Sequence, residues 1–363
     1  MTLFYELIQV AVGTRNILSR IPSAEEWQCL FAASQKQSLV GICFQGINLM
    51  FLNNPEMVVN LPGALKMKWM AMTIDIQRRN TLILQRSREL NRLFAEDGYR
   101  STVLKGVGVS KYYPDPSLRQ GGDIDLWVDG ERDDTIRYMR ARYKCGRAVI
   151  HHIDVEVFDD VPVEVHFVPS YAYSMPRYRA YKRFFNEYKE ECFVPSELGF
   201  CVPSLGFNVV YLLMHIFRHV FHEGVGLRQL MDYYFLLMTF HGTHEEHRDV
   251  IDKAIQALKE LGLLRFAGAV MYVEREVFGL QEEYMICEPN EKAGRFLLDE
   301  IMRAGNFGKY DPRIREAHSG GMVKLYIKNV TRIFGMLSYY PSEVLWSPFW
   351  KIGHFIWRKV KGY

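Results

Sequence analysis

The run Gly121-Gly122-Asp123-Ile124-Asp125-Leu126-Trp127-Val128 restricts this chain more than any other segment. On an extended strand successive side chains alternate between faces, so Ile124, Leu126 and Val128 share one face while Asp123 and Asp125 share the other. Carboxylates spaced roughly 7 Å apart along a strand repel each other unless one is protonated or a cation bridges them, and oxygen donors suit a hard ion such as Mg²⁺. A fold that accepts this run must bury one side of a sheet and present the other to a charged ligand. The paired glycines allow close backbone approach or a sharp turn into the strand.

A second run, Val161 to Val168, repeats the alternation: Val163, Val165 and Phe167 share one face, and Glu164 and His166 the other. If this strand lies beside the first, Glu164 completes a three-carboxylate cluster. Upstream, Gly106 in Leu104-Lys105-Gly106 suits a tight turn into a helix whose first amides can hold phosphate. Lys105 adds a cation beside that turn, and Arg119 lies within reach of the same phosphates. An Asp-x-Asp pair alone is a weak signal, equally readable as a solvated strand end. Joined to the glycines, the Lys-Gly turn and a third acid, it points to metal-assisted displacement at phosphorus, with Mg²⁺ or Mn²⁺ as cofactor.

These residues resemble the nucleotidyltransferase superfamily named for DNA polymerase β, whose signature is a Gly-rich turn, a DxD or DxE strand and a later acidic strand. Val103-Leu104-Lys105-Gly106, Tyr112-Tyr113-Pro114-Asp115-Pro116, Arg119 and Gly122-Asp123-Ile124-Asp125-Leu126 are similar to a narrower family of uncharacterised bacterial nucleotidyltransferases in which LKG replaces the usual Gly-Ser turn. The likeness continues through Val163-Glu164-Val165-His166, His215, His219 and Leu227 to Asp232. The resemblance implies that Asp123, Asp125 and Glu164 bind metal and that Lys105, Gly106 and Arg119 contact phosphate; the reading of the residues themselves adds Gly122, His219 and Arg228 as candidates at the nucleotide. The resemblance also implies a nucleoside triphosphate as substrate and leaves the acceptor open.

Periodicity gives an α+β fold, a small mixed β-sheet core with a large helical elaboration, and the resemblance implies that the sheet is a nucleotidyltransferase core. Residues 1–97 show helical spacing over Leu3 to Leu18, Ala24 to Phe51 and Leu65 to Asp97. Residues 98–170 turn to short β-rich runs (STVLK, DIDLWV, AVIHHIDVEVF, PVEVHFV), with helices at Gly106 to Tyr113 and Glu131 to Tyr143. Residues 171–363 read as helical throughout, near 176–191, 204–222, 226–241, 245–261, 263–278, 291–305, 320–336 and 342–360.

The near-balanced charge of +3 argues against an extended nucleic-acid-coating surface. Six cysteines without CxxC spacing read as thiols in a reducing compartment rather than a zinc site. With no basic leader and no apolar run of spanning length, the expected location is cytoplasmic.

His215, His219 and His222 recur at helical spacing and share one face, read as interface or substrate contacts ahead of metal ligands. Arg228 and Asp232, four apart, suit an intrahelical ion pair unless their helix faces the sheet. The aromatic and basic segment from Leu345 to Lys361 reads as core packing with a solvated tail, with peripheral membrane contact as the lesser alternative. The function expected is Mg-dependent transfer of a nucleoside monophosphate to a hydroxyl or phosphate acceptor. Its alternatives are an inactive nucleotide-binding regulatory module and, less favoured, a phosphohydrolase centred on His215, His219 and Asp232.

Overall fold

In the computed structural model, residues 2–239, 244–315 and 321–361 are described. The helix Ala24–Gln37 starts where Ser23 and Glu26 form a reciprocal capping box, each side chain accepting from the other's backbone N–H. The segment expected as one helix from Ala24 to Phe51 is two. Ser38 adopts a left-handed conformation (φ 55°) after Gln37, and Val40–Asn53 follows as a separate helix. No glycine marks that break. The next helix, Gly63–Glu96, runs 34 residues, about 50 Å, and ends at Gly98, whose φ of 81° satisfies the expected left-handed stop.

Seven strands follow: β1 Ser101–Val103, β2 Ile124–Val128, β3 Lys144–Cys145, β4 His152–Glu156, β5 Val163–His166, β6 Val194–Pro195 and β7 Cys201–Val202. They form one mixed sheet in the order β3-β4-β5-β2-β1-β7-β6. Strand β2 pairs antiparallel with β1 and parallel with β5, and β4 pairs antiparallel with β5. Strands β6 and β7 correct the expectation of a purely helical C-terminal half. Each is two residues long, too short for alternation to register, and β7 joins the sheet parallel to β1 at Thr102 and Cys201.

The alternation read from sequence sets the two faces. Ile124, Leu126, Val128, Val163, Val165 and Phe167 pack into one core with Ile83, Leu90 and Phe94 of the long helix and Ile136 and Met139 of the helix Arg132–Arg142. The opposite face bears Asp125, Trp127, Glu164 and His166 and is covered by the helix Leu205–His222, with Trp127 against Phe193. A second, larger core joins N-terminal side chains such as Phe4, Trp27 and Trp69 to C-terminal ones such as Phe217, Phe266 and Val344.

The C-terminal helices fall close to their expected places: Met175–Glu187, Leu205–His222, Leu227–Met238, His244–Glu260, Leu264–Val273, Glu291–Ala304, Gly321–Phe334 and Pro341–Lys361. The expected ends at 240–241 and the start at 320 lie outside the described residues. Arg332 caps the helix Leu205–His222, donating to the carbonyls of Val220, Phe221 and His222 at 2.9–3.1 Å, where a cation also meets the negative end of the helix dipole.

One buried group opposes this packing. Glu274 opens a π-helical turn after Leu264–Val273, is 0% exposed, and neither carboxyl oxygen has a hydrogen-bond partner among the described residues. Burial pushes its pKa well above the ordinary 4.5. A carboxyl raised in this way leaves stability intact below its unfolded pKa, and stability falls as pH rises toward the folded value. Glu274→Met, similar in size and uncharged, is predicted to stabilise the fold by about 1–3 kcal/mol at pH 8 and by little at pH 4. Urea unfolding at both values checks this, and equal midpoints for the two proteins at pH 8 would reject it.

Candidate active site

Strand pairing brings the acids together. In the parallel register Ile124 stands opposite Val163 and Asp125 opposite Glu164, with Trp127 opposite His166. Asp125 is 1% exposed. Its Oδ1 accepts from Lys105 Nζ at 2.7 Å and lies 3.1 Å from His166 Nε2, which is also 3.4 Å from Glu164 Oε2. Burial alone would raise the Asp125 pKa, but Lys105 and His166 outweigh it and hold the carboxyl far below its ordinary value. Burial likewise opposes protonation of His166, yet Asp125 and Glu164 raise its pKa above the usual imidazole value.

Lys105 follows β1, where Leu104 N–H donates to the Asp125 carbonyl at 2.9 Å and fixes the turn against β2. Gly106 has φ 64° and ψ −122°, a conformation closed to side chains with a Cβ. The helix expected over Gly106 to Tyr113 is a single turn, Val107–Ser110. The Lys105 ammonium, expected at phosphate, rests on Asp125.

Asp123 precedes β2 and is half-buried at the mouth of a cleft. The Asp125 charge raises its pKa first, with burial adding to the effect. Among the described residues no donor bonds its carboxylate. The cleft, about 850 Å³, is also lined by Gly122, Glu164, Arg79, Arg228, Phe307 and Lys309. A Cβ on Gly122 would meet nothing within 4 Å, so no packing within the chain requires glycine there. Gly121 differs: a Cβ would come within 2.9 Å of Asn80 Oδ1. Asn80, on the long helix, also donates to the carbonyls of Ser117 and Arg119 at 2.6 Å each. Arg79 donates to the Gly122 carbonyl at 3.0 Å.

Arg119, expected at phosphate, is engaged in a buried ion pair with Asp232. Its Nε and Nη2 each reach a different oxygen of Asp232 at 2.7 Å, while Tyr113 Oη donates to Asp232 Oδ1 at 2.6 Å. Both partners are nearly enclosed, Arg119 at 4% and Asp232 at 5% exposure. The expected Arg228–Asp232 pair gives way to this one. Arg228 is left facing the cleft 5.5 Å from the Phe307 ring, its pKa lowered by burial and then by Arg119. Among the described residues no acceptor bonds its guanidinium.

The histidine face forms an interior chain. Arg218 Nη1 meets His151 Nε2 at 2.9 Å and Arg218 Nη2 meets His219 Nε2 at 3.0 Å. His151 Nε2 reaches His152 Nδ1 at 2.9 Å, which lies 3.5 Å from Glu164 Oε2. Burial, followed by Arg218, pushes His151 and His219 well below the usual pKa, and burial followed by Lys105 does so for His215, so these imidazoles are neutral near pH 7. His219 thus joins the carboxylates indirectly and is walled from the cleft by Phe307, 5.3 Å away. His151, His152 and Arg218 were not singled out as site residues from sequence. The His-His pair on a strand antiparallel to Val-Glu-Val-His was the available signal, since one of two neighbours must share Glu164's face.

Donor atoms of Asp125, Glu164 and His166 lie within 4.8 Å of one another, as do those of His152, Asp154 and Glu164. Asp123, the third expected ligand, belongs to neither group; its carboxylate lines the cleft that Glu164 also lines. Removing one partner of the Arg119 pair strands a buried charge, so Asp232→Asn is predicted to cost about 3–5 kcal/mol. Denaturant unfolding checks it, and a loss under about 1 kcal/mol would return Arg119 to the ligand.

A model of the family described as uncharacterised nucleotidyltransferase matches residues 23–279, which takes in the long helix, the whole sheet and the helices bearing His219 and Arg228. Comparison with curated proteins and with solved structures yields no match. The matched span covers well over half of the chain and contains every group of the carboxylate site, so the protein belongs to this nucleotidyltransferase family.

Proposed function

We propose that the chain transfers a nucleoside monophosphate from a nucleoside triphosphate to a hydroxyl or phosphate acceptor, releasing pyrophosphate. The observation that carries this is the pairing of β2 with β5, which sets Glu164 opposite Asp125 beside the unpaired carboxylate of Asp123 in a nucleotide-sized cleft. Asp123, Asp125 and Glu164 would hold Mg²⁺ or Mn²⁺, which supplies Lewis-acid charge to the triphosphate and acidifies the attacking hydroxyl. Arg228, bonded to no carboxylate among the described residues, offers a planar guanidinium to phosphate oxygens. Lys105 neutralises Asp125 and suits a second cationic contact to phosphate. Gly122 leaves room for a phosphate to approach the backbone. The interior chain from His166 to Arg218 flanks the acids, and Glu164, 3.4 and 3.5 Å from the His166 and His152 imidazoles, would receive a proton from the acceptor.

Asp125→Asn is predicted to lower Mg²⁺-dependent pyrophosphate release at least about a hundredfold with unchanged circular dichroism. Arg228→Ala is predicted to raise the KM for the triphosphate about tenfold with less effect on kcat. Because the Asp125 charge and then burial raise the pKa of the metal-free Asp123 carboxyl, protons compete with the cation there, and the Mg²⁺ concentration for half-maximal activity should rise on acidification from a pH above that of an ordinary aspartate. Normal turnover by Asp125→Asn would overturn the assignment. The 2.7 Å Lys105–Asp125 contact favours, as a second reading, a nucleotide-binding module without turnover. Calorimetry that detects Mg²⁺-nucleotide binding while every triphosphate stays intact would select it.

A further inference from the structure

The terminal helix Pro341–Lys361 is fixed to the body along one side only. Glu343 accepts from the backbone N–H of Tyr173 at 2.8 Å and pairs with Arg177. Trp350 stacks on Tyr171 at 4.9 Å, and Trp357 sits 5.3 Å from the Arg132 guanidinium. These contacts set the rotation of the helix, and they turn a second apolar face outward.

Leu345, Phe349, Ile352, Ile356 and Val360 are 54%, 71%, 52%, 55% and 80% exposed. Their spacing of three and four residues places them in one stripe. The helix Gly321–Phe334 packs beside this one and adds Ile327 and Phe334, 56% and 44% exposed. Isolated exposed apolar residues are ordinary on protein surfaces, whereas a continuous stripe marks a binding surface.

Charge identifies the partner. Residues 317–363 hold seven Lys and Arg against a single acid, Glu343, and six of the seven remain once Arg332, buried on the carbonyls of Val220, Phe221 and His222, is set aside. That acid is buried on Arg177. Since the chain as a whole carries only +3, the remainder is net acidic and the positive charge is concentrated in this region. Lys359, exposed within the stripe itself, has the aliphatic length to keep its ammonium in water while its stem lies among apolar groups. A second copy docking on the same face would bring like charge to like charge. An anionic bilayer offers the complement to both the apolar stripe and its cations.

We infer that the face formed by the last two helices seats the protein on an anionic membrane surface, with Phe349, Ile352 and Ile356 entering the acyl boundary. This does not rest on the nucleotidyltransferase reading, since none of these residues lines the carboxylate cleft.

The test is flotation of the full chain with vesicles of phosphatidylcholine alone or mixed with phosphatidylglycerol. Binding to the mixed vesicles is expected to exceed binding to phosphatidylcholine at least tenfold and to fall with added salt. Phe349→Ser/Ile356→Ser and, separately, Lys359→Glu should each weaken it at least tenfold while circular dichroism and pyrophosphate release stay unchanged. Three results would overturn the inference: no flotation with either vesicle, equal flotation with both, or a dimer in sedimentation that Phe349→Ser/Ile356→Ser converts to monomer in a chain that binds no vesicle.

Discussion

Everything at the carboxylate site depends on one strand pairing. A single step of register between β2 and β5 would send Glu164 to the apolar face and Val163 or Val165 to the acids, because side chains alternate with a period of two. The register is held from the other side, where Ile124, Leu126, Val163 and Val165 interlock with the long helix. The hydrophobic face therefore fixes the position of the charged one. The cost of crowding acids on a buried face is met by Lys105 and His166, both of which contact Asp125, while among the described residues no donor bonds the carboxylate of Asp123.

That division explains what could be read from the chain. The alternation in Asp123 to Val128 and Val161 to Val168 gave both faces of the sheet and the three acids, because period-two burial is a local property. The adjacency of the two strands is not local, yet it followed from chemistry, since an acid on a strand with a buried opposite face needs a partner. The partners of the cations escaped the sequence. Arg119 and Asp232 stand 113 positions apart, and a helical i, i+4 rule pointed Asp232 toward Arg228 instead. Strands β6 and β7 carry too few residues for any period, and Ser38 broke a helix without the glycine that usually announces such a break.

The histidines follow the same logic. Their spacing on the helix Leu205–His222 showed a shared face but not what it meets. The structure places His219 behind Phe307 and ties it through Arg218 and His151 to the strands. A guanidinium between two neutral imidazoles has no carboxylate in direct contact among the described residues, and Glu223 and Glu164 act on its charge across the interior.

The two walls of the cleft differ mechanically. On one, the amide of Asn80 grips two carbonyls of the loop carrying Gly121 and Gly122, and Arg79 holds a third. That loop is riveted to a 34-residue rod and cannot shift unless the rod moves with it. The facing wall is held differently: Phe307 sits in a left-handed turn between Gly305 and Gly308, and beside it Asn306 donates to Ser38 Oγ at 2.8 Å. One wall of the cleft is therefore tied to the long helix, and the other to the turn at Ser38 that ends the helix Ala24–Gln37.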